Sequence, residues 1–242
     1  MPKIDEMLHD VTARLKRAAE TAGRSPETVA LVAVSKTRPA SALADAYRAG
    51  QRRFGENYLQ EALDKQAALR ELADIEWHFI GPIQSNKTRA IAEQFDWVHS
   101  IDREKIARRL SEQRPADRGP LQVCLQVNLD GEISKSGVAL GDLPSLARAV
   151  AALPHLTLRG LMAIPAPREN VNDQRAVLAR LRQALSELKA LKLADDQGQP
   201  PPLDTLSMGM SADLEAAIAE GATMVRVGTD IFGARETGQD TL

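Results

Sequence analysis

The chain has 242 residues, of which 43% are apolar, and its 31 Lys and Arg nearly balance 33 Asp and Glu to leave a formal charge of −2. This length suits one barrel of alternating strands and helices, which takes about 250 residues. The charge balance argues against a uniformly basic surface for nucleic acid. The single cysteine, Cys124, excludes an internal disulfide, and no apolar run approaches the roughly 20 residues that cross a bilayer. We therefore expect a cytoplasmic protein without membrane or nucleic-acid partners, with residues 1–242 forming a single domain.

Short apolar runs alternate with amphipathic segments along the chain. An extra helix over residues 3–22 precedes the first strand at 29–34, as the change in hydrophobic period indicates. The remaining predicted strands lie at 52–55, 75–80, 97–99, 121–128, 156–164, 204–207 and 223–227. The remaining predicted helices lie at 39–49, 57–72, 84–94, 103–113, 143–153, 171–191 and 211–220, with a short one from 230. This α/β alternation predicts a parallel sheet, and eight units favour a closed (β/α)₈ barrel of the TIM type over an open doubly wound sheet.

Polar residues follow the apolar strand bodies at their C-terminal ends. In a closed barrel the loops at these ends converge over a filled interior, and functional sites lie there. The residues at these positions include Lys36, Glu56, Asn57, His78, His99, Asn128, Ser207 and Arg226. We take this ring of strand ends as the candidate site.

Lys36 is the most informative member of the ring because it closes the apolar run 31–36. One interpretation is a solvated lysine that merely ends a strand. The other is an amine that has lost part of its water at the barrel mouth. Burial penalises the charged ammonium, and a neutral amine is what Schiff-base formation with an aldehyde requires.

Arg226 lies within the apolar strand 223–227, where an unpaired guanidinium is costly. It is either part of a buried ion pair or a fixed donor for a ligand acceptor such as a pyridine nitrogen. Gly228-Thr229 and 207–211 each precede a predicted helix, after strands eight and seven. Barrels frequently bind phosphate at this place, although Ser and Thr are also ordinary helix caps.

The remaining candidates each allow two interpretations. Asn57 either binds a ligand or caps the helix it begins, and His78 is either a satisfied core histidine or an acid–base group. The four histidines have no metal-ligand spacing, so no metal is expected. The loop at 130–137 is either a lid over the mouth or a plain turn, and Lys87 either faces an anion or is solvated.

Seven segments together make the sequence recognisable. They are Val-Ala-Val-Ser-Lys36, Phe-Gly-Glu-Asn57, Trp-His-Phe-Ile-Gly-Pro-Ile-Gln-Ser-Asn-Lys87, Ile-Ser-Lys-Ser-Gly137, Leu-Met-Ala-Ile164, Ser-Met-Gly-Met-Ser211 and Val-Arg-Val-Gly-Thr-Asp-Ile-Phe-Gly233. In this order they resemble the pyridoxal phosphate homeostasis protein family, and the resemblance runs from about residue 29 to Arg235.

The resemblance implies a barrel of fold type III that binds pyridoxal 5′-phosphate (PLP), similar to the N-terminal domain of alanine racemase. By motif position, Lys36 would hold PLP as a Schiff base and Arg226 would face the pyridine nitrogen. Other positions implied to bind the cofactor are Ser207, Gly228 and Thr229 at the phosphate, the backbone of Met208 and Gly209 beside them, and Asn57 and His78 along the ring. Family members regulate intracellular PLP supply without an established catalytic activity, so PLP-dependent apoenzymes are candidate partners.

Two alternatives stay open: a cofactor-free barrel that binds another phosphorylated ligand, and a small PLP-dependent amino-acid racemase. Racemases of the resembling fold add a second β domain and a tyrosine from across a dimer interface. This chain ends shortly after the eighth unit, and its only tyrosines, Tyr47 and Tyr58, lie in or beside predicted helices. We therefore expect a monomeric carrier rather than an enzyme.

Overall fold

The computed structural model describes residues 3–132 and 136–234. Its eight strands are β1 Ala30–Val34, β2 Arg53–Glu56, β3 Glu76–Phe79, β4 Trp97–Ile101, β5 Leu121–Gln126, β6 Leu156–Met162, β7 Thr205–Ser207 and β8 Met224–Val227. Its α-helices are α1 Ile4–Thr21, α2 Ala40–Arg48, α3 Leu59–Ala68, α4 Thr88–Gln94, α5 Glu104–Gln113, α6 Leu143–Ala151, α7 Val171–Ala190, α8 Leu214–Ala219 and α9 Thr229–Phe232.

All eight strands are parallel and form one closed barrel in the order β1 to β8. The barrel closes where β1 pairs with β8, with Val32 opposite Arg226 and Ala33 opposite Val227. The prediction of a (β/α)₈ barrel of the TIM type with an extra N-terminal helix is therefore confirmed. Because the strands are parallel, closure brings all of their C-terminal ends to one mouth of the barrel.

Apolar side chains divide between the outside and the inside of the barrel. The larger cluster fills the space between the strands and the surrounding helices. A small separate cluster lies inside the barrel and consists of Val32, Trp97, Cys124, Met162 and Met224. Because the strands are buried on both faces, they are continuous apolar runs rather than alternating ones.

Helix α1 packs against the last two helices of the barrel. Its apolar side includes Leu8 and Val11, which are buried. Arg14 donates to Glu215 over 2.6 Å, to Asp230 over 3.1 Å and to the carbonyl of Ser211 over 2.8 Å. The extra helix thus braces the loops that lead into α8 and α9.

Several helices begin later than the sequence predicted. Helix α8 begins at Leu214 rather than 211, because the side chain of Asp213 accepts from the backbone N–H of Met210 over 2.7 Å and holds a turn there. The helix predicted at 84–94 is a 3₁₀ turn at Ser85–Lys87 followed by α4. In the described parts of the chain, no helix combines the length and apolarity needed to cross a membrane.

Candidate functional site

Lys36 lies at the barrel mouth, two residues beyond the end of β1. The backbone N–H of Ser35 still pairs with Gly55 of β2 over 3.0 Å, so the chain leaves the barrel only after this residue. Thr37 has a φ of 63°, a left-handed conformation that turns the chain away. This sharp exit leaves Lys36 half-buried on the rim.

A buried ion network supports the turn that carries this lysine. The ammonium of Lys65 donates to the carbonyl of Ser35 over 2.7 Å, to Glu56 over 2.7 Å and to Glu61 over 2.6 Å. The Ser35 hydroxyl donates to Glu56 over 2.6 Å, and the N–H of Thr37 donates to Glu61 over 2.6 Å. Burial raises the pKa of Glu56, although Lys65 and Ser35 act against this shift. Both neighbours of the candidate lysine are therefore fixed by one cation.

Sequence reasoning missed Lys65. A lysine in an amphipathic helix is ordinarily solvated, but here its side chain is only 5% exposed. The signal available in the sequence was Glu56, a carboxylate at the end of an apolar strand that has to find a partner when buried.

Arg226 lies in the barrel interior with 3% of its surface exposed. Its Nη1 donates to the hydroxyl of Ser207 over 2.6 Å, and its Nη2 donates to the carbonyl of Ala163 over 2.9 Å. Burial lowers the pKa of Arg226 to about 10. The guanidinium is thus still charged at neutral pH, and it is held by a hydroxyl and a carbonyl rather than by a carboxylate.

The side chain of Ser207 is directed into the barrel interior, and its assignment to the phosphate stays a prediction. Its hydroxyl is fully buried and lies 2.7 Å from Nδ1 of His99, in addition to its contact with Arg226. The serine ends β7 on the inside of the barrel, so its hydroxyl is engaged there and not in the loop that follows. Sequence position alone did not distinguish these two directions.

His78 is likewise fully buried. Its Nδ1 lies 2.8 Å from Nε2 of His99, its Nε2 lies 2.8 Å from Glu76, and its ring stacks on Trp97 at a centroid distance of 5.6 Å. Burial lowers the pKa of His78 and takes that of His99 well below its usual range. These contacts match the alternative of a core histidine whose hydrogen bonds are satisfied.

The loops after β7 and β8 approach the rest of the mouth closely. A Cβ on Gly228 would lie 3.1 Å from the carbonyl of Val34, so the last loop touches the end of β1. Gly209 has a φ of 96°, and its carbonyl accepts from the N–H of Arg226 over 2.9 Å. Thr229 begins α9 directly after Gly228. Gly209 requires glycine because its φ is positive and a Cβ would clash with that of Ala217 in α8, whereas at Gly228 a Cβ would make a tight contact.

Asn57 presents an unused acceptor. Its Oδ1 is buried and has no hydrogen-bond partner among the described residues. The helix that follows is preceded by Tyr58, which makes no capping bond, so the interpretation of Asn57 as a cap is not supported. A buried acceptor without a partner is costly unless a ligand supplies the donor.

An apolar cleft opens beside Arg226, between the loops that follow β6 and β7. Ile164 and Met210 line it and are 46% and 45% exposed. It adds apolar surface to the mouth next to the cationic group, a combination typical of ligand sites.

The other sequence candidates lie apart from this constellation. Tyr47 bonds Asp74 and lies under Arg52, before β2, whereas Tyr58 is 54% exposed on the mouth side. Lys87 is exposed, and residues 133–135, the centre of the loop considered as a lid, lie outside the described residues. Within the described ranges no group of three metal-ligating side chains forms a site.

Comparison with known proteins matches residues 7–236 to the family described as alanine racemase, N-terminal domain. Pyridoxal phosphate homeostasis proteins are similar over nearly the whole length: that of Pseudomonas aeruginosa is 61% identical over 238 residues, which cover 98% of each chain. That of Escherichia coli K12 is 54% identical with the same coverage of both chains.

Solved structures of similar fold agree with this family assignment. PipY of Synechococcus elongatus, solved with PLP bound, is 41% identical, with a TM-score of 0.78 over 90% of this chain and 99% of that one. Alanine racemase of Corynebacterium glutamicum, at 19% identity and a TM-score of 0.65, shares the fold over 97% of this chain and 64% of its own. By these matches the chain belongs to the alanine racemase N-terminal domain family and, within it, to the pyridoxal phosphate homeostasis proteins.

Proposed function

We propose that this chain binds PLP at the barrel mouth, with Lys36 as the Schiff-base lysine, and that it serves intracellular PLP supply as a monomeric carrier without robust turnover. The proposal is supported by the homeostasis proteins to which the chain is 54–61% identical. A structure of a relative at 41% identity contains PLP. PLP-dependent apoenzymes would be the recipients.

One observation carries the proposal: the half-buried Lys36 shares its rim with the loop at Gly228. That loop approaches β1 so closely that a Cβ on Gly228 would lie 3.1 Å from the Val34 carbonyl. The turn that carries Lys36 and a glycine loop suited to an anion are therefore neighbours. The unpaired Oδ1 of Asn57 and the donors of Arg226 supply further polar partners. This set fits a ligand that has an aldehyde, a phosphate and a ring nitrogen.

Each residue then has a defined task. The backbone of Met208, Gly209, Gly228 and Thr229 would hold the phosphate, while Asn57 would contact the ring. The bound cofactor supplies an aldehyde that condenses with a lysine amine. Ser207 and His78 would support the cofactor site from within the barrel, where both side chains are hydrogen-bonded to His99.

Arg226 bears on the question of catalysis. Its pKa of about 10 keeps it charged at neutral pH. Facing the pyridine nitrogen, it would donate a hydrogen bond without transferring a proton, and an unprotonated ring is a weaker electron sink. The proposed carrier role rests partly on this point.

The acid–base groups of the mouth support the same role. A racemase needs a second group on the opposite face of the cofactor. The hydroxyl of Tyr47 is bound to Asp74. These residues precede β2 and β3, so the pair lies at the N-terminal ends of the strands, away from the mouth. Tyr58 is on the mouth side but more than half exposed, so it is the tyrosine to test.

The first experiment uses the absorbance of the purified protein with PLP, before and after borohydride reduction, with peptide mapping of the adduct. We expect a visible band that borohydride removes, with the label on Lys36. Lys36→Ala should lose both, while the exposed control Lys87→Ala should keep both. A label on another lysine, or a colourless protein, refutes PLP attachment at Lys36.

The second experiment tests turnover separately. We expect no deuterium at Cα when a broad panel of amino acids is incubated with the protein in D₂O. Exchange that Lys36→Ala abolishes would instead support the racemase alternative. Its loss in Tyr58→Phe would then identify the acid–base group.

A further inference from the structure

A continuous row of polar side chains crosses the barrel interior and ends at Arg226. It begins at Glu76, the first residue of β3, whose carboxylate is 36% exposed at the N-terminal end of the barrel. From Glu76 the contacts run to His78 over 2.8 Å, to His99 over 2.8 Å, to Ser207 over 2.7 Å and to Arg226 over 2.6 Å. The four members beyond Glu76 are at most 3% exposed.

The ends of this row determine the position of every proton within it. An ionised carboxylate only accepts hydrogen bonds and a guanidinium only donates them. His78 therefore donates to Glu76 through Nε2, and as a neutral ring it accepts from His99 at Nδ1. His99 then carries its proton on Nε2 and accepts from the Ser207 hydroxyl, which accepts from Arg226. Four donors make four hydrogen bonds, all directed toward the carboxylate.

The electrostatics of the interior agree with two neutral rings. Burial lowers the pKa of His78, against the opposing effect of Glu76. For His99, burial lowers the pKa most strongly, and the nearby Arg226 guanidinium acts in the same direction. A protonated His99 would donate to Ser207 and compete with Arg226 for the oxygen lone pairs.

We propose that Glu76 is a positioning residue for the cofactor, acting through His78, His99 and Ser207 to hold the Arg226 guanidinium in one orientation. This inference rests on the proposed function, since Arg226 is the group that would meet the cofactor ring. Without a negative charge at Glu76, the imidazole chain has no preferred direction and both tautomers become accessible. The carboxylate at one end of the barrel thereby controls the donor at the other.

Other charged groups also face this row. They are Arg53, which bonds Glu76 over 3.1 Å, Asp96 near His78, Arg159 over the ring of Trp97 and Asp213 near Arg226. The titratable but uncharged thiol of Cys124 also lies in the interior. Asp204 lies at the same end of the barrel as Glu76 but pairs with Arg159 over 2.8 Å, outside the row. Asp204→Asn therefore removes a comparable carboxylate without changing any member of the row.

The first test needs no cofactor. Nitrogen-15 NMR of histidine-labelled apoprotein should find His78 and His99 neutral, with their protons on Nε2, at neutral pH. Glu76→Gln keeps the shape and an acceptor but loses the charge, so the opposite tautomer should appear in both rings. Asp204→Asn should leave both signals as in the wild type. Unchanged tautomers in Glu76→Gln would overturn the proposal.

The second test measures PLP affinity by titration and the position of the absorbance band. Glu76→Gln and Ser207→Ala should each weaken binding by about tenfold, the effect expected for one charge-assisted hydrogen bond. The double variant should be no weaker than Ser207→Ala alone, because that change already disconnects Glu76. Additive losses of PLP affinity would refute the proposal that Glu76 acts through the row.

The two proposals can fail separately. If Lys36→Ala and Arg226→Gln both bind PLP as the wild type does, the proposed function fails and the cofactor role of Glu76 fails with it. If Lys36→Ala loses the adduct while Glu76→Gln matches the wild type in affinity and spectrum, only the positioning role is overturned.

Discussion

The ammonium of Lys65 should stabilise the fold strongly, and Lys65→Met tests this. Methionine keeps the length and apolar contacts of the stem but removes three hydrogen bonds, to Ser35, Glu56 and Glu61. Glu56 is fully buried, and its Oε2 already has no partner among the described residues. Removing one partner of a buried ion pair costs about 3–5 kcal/mol, a large share of the roughly 5–15 kcal/mol that holds a domain folded.

The loss of stability in Lys65→Met should be larger at neutral pH than in acid. Burial raises the pKa of Glu56 in the folded protein. The stability contributed by a carboxyl with a raised pKa is complete below its unfolded pKa and is lost as pH rises through the folded one. Lys65 opposes the rise, so Lys65→Met moves the folded pKa of Glu56 further up. The destabilisation should thus be largest at neutral pH and shrink in acid to about 1–2 kcal/mol, the cost of the other lost hydrogen bonds.

Urea unfolding at neutral and acidic pH measures both effects, provided that the slope with urea is unchanged. The matched control is Lys65→Met combined with Glu56→Gln, which removes both buried charges and should recover much of the stability at neutral pH. A loss below about 1 kcal/mol in the single variant, or the same loss at both pH values, would contradict the reasoning. So would a double variant that is no more stable than the single one.

Two further predictions follow from burial and backbone geometry. Cys124 is fully buried, and burial raises its pKa to about 12, so it should resist thiol reagents in the native protein and react at once in urea; rapid labelling of the native protein, measured by the absorbance of the released thiolate, would contradict this. Gly209→Ala should lower the free energy of unfolding by about 2–4 kcal/mol, because its φ of 96° disfavours a side chain and a Cβ would clash with Ala217. The control Gly141→Ala has open space and no positive φ, and equal losses in the two variants would rule out the steric explanation.

The barrel and its mouth could be predicted from the sequence because both depend on local patterns. The buried strand before Lys36 and the eight alternating units follow from hydrophobic period and turn residues, which neighbouring residues determine. Helix boundaries were harder to predict from the sequence. The late start of α8 depends on a hydrogen bond from the N–H of Met210 to the side chain of Asp213. An aspartate at this position is equally compatible with a helix start and with a turn.

The partners of the buried polar groups were decided only by tertiary structure. Glu56 and Lys65 are both visible in the sequence, but the helix α3 had to pack on β2 before the lysine could be recognised as buried. The contact between His99 and Ser207 joins residues 108 positions apart. Period-two alternation cannot tell which of two polar side chains at a strand end faces inward, because the register and tilt of eight strands are set only when the barrel closes.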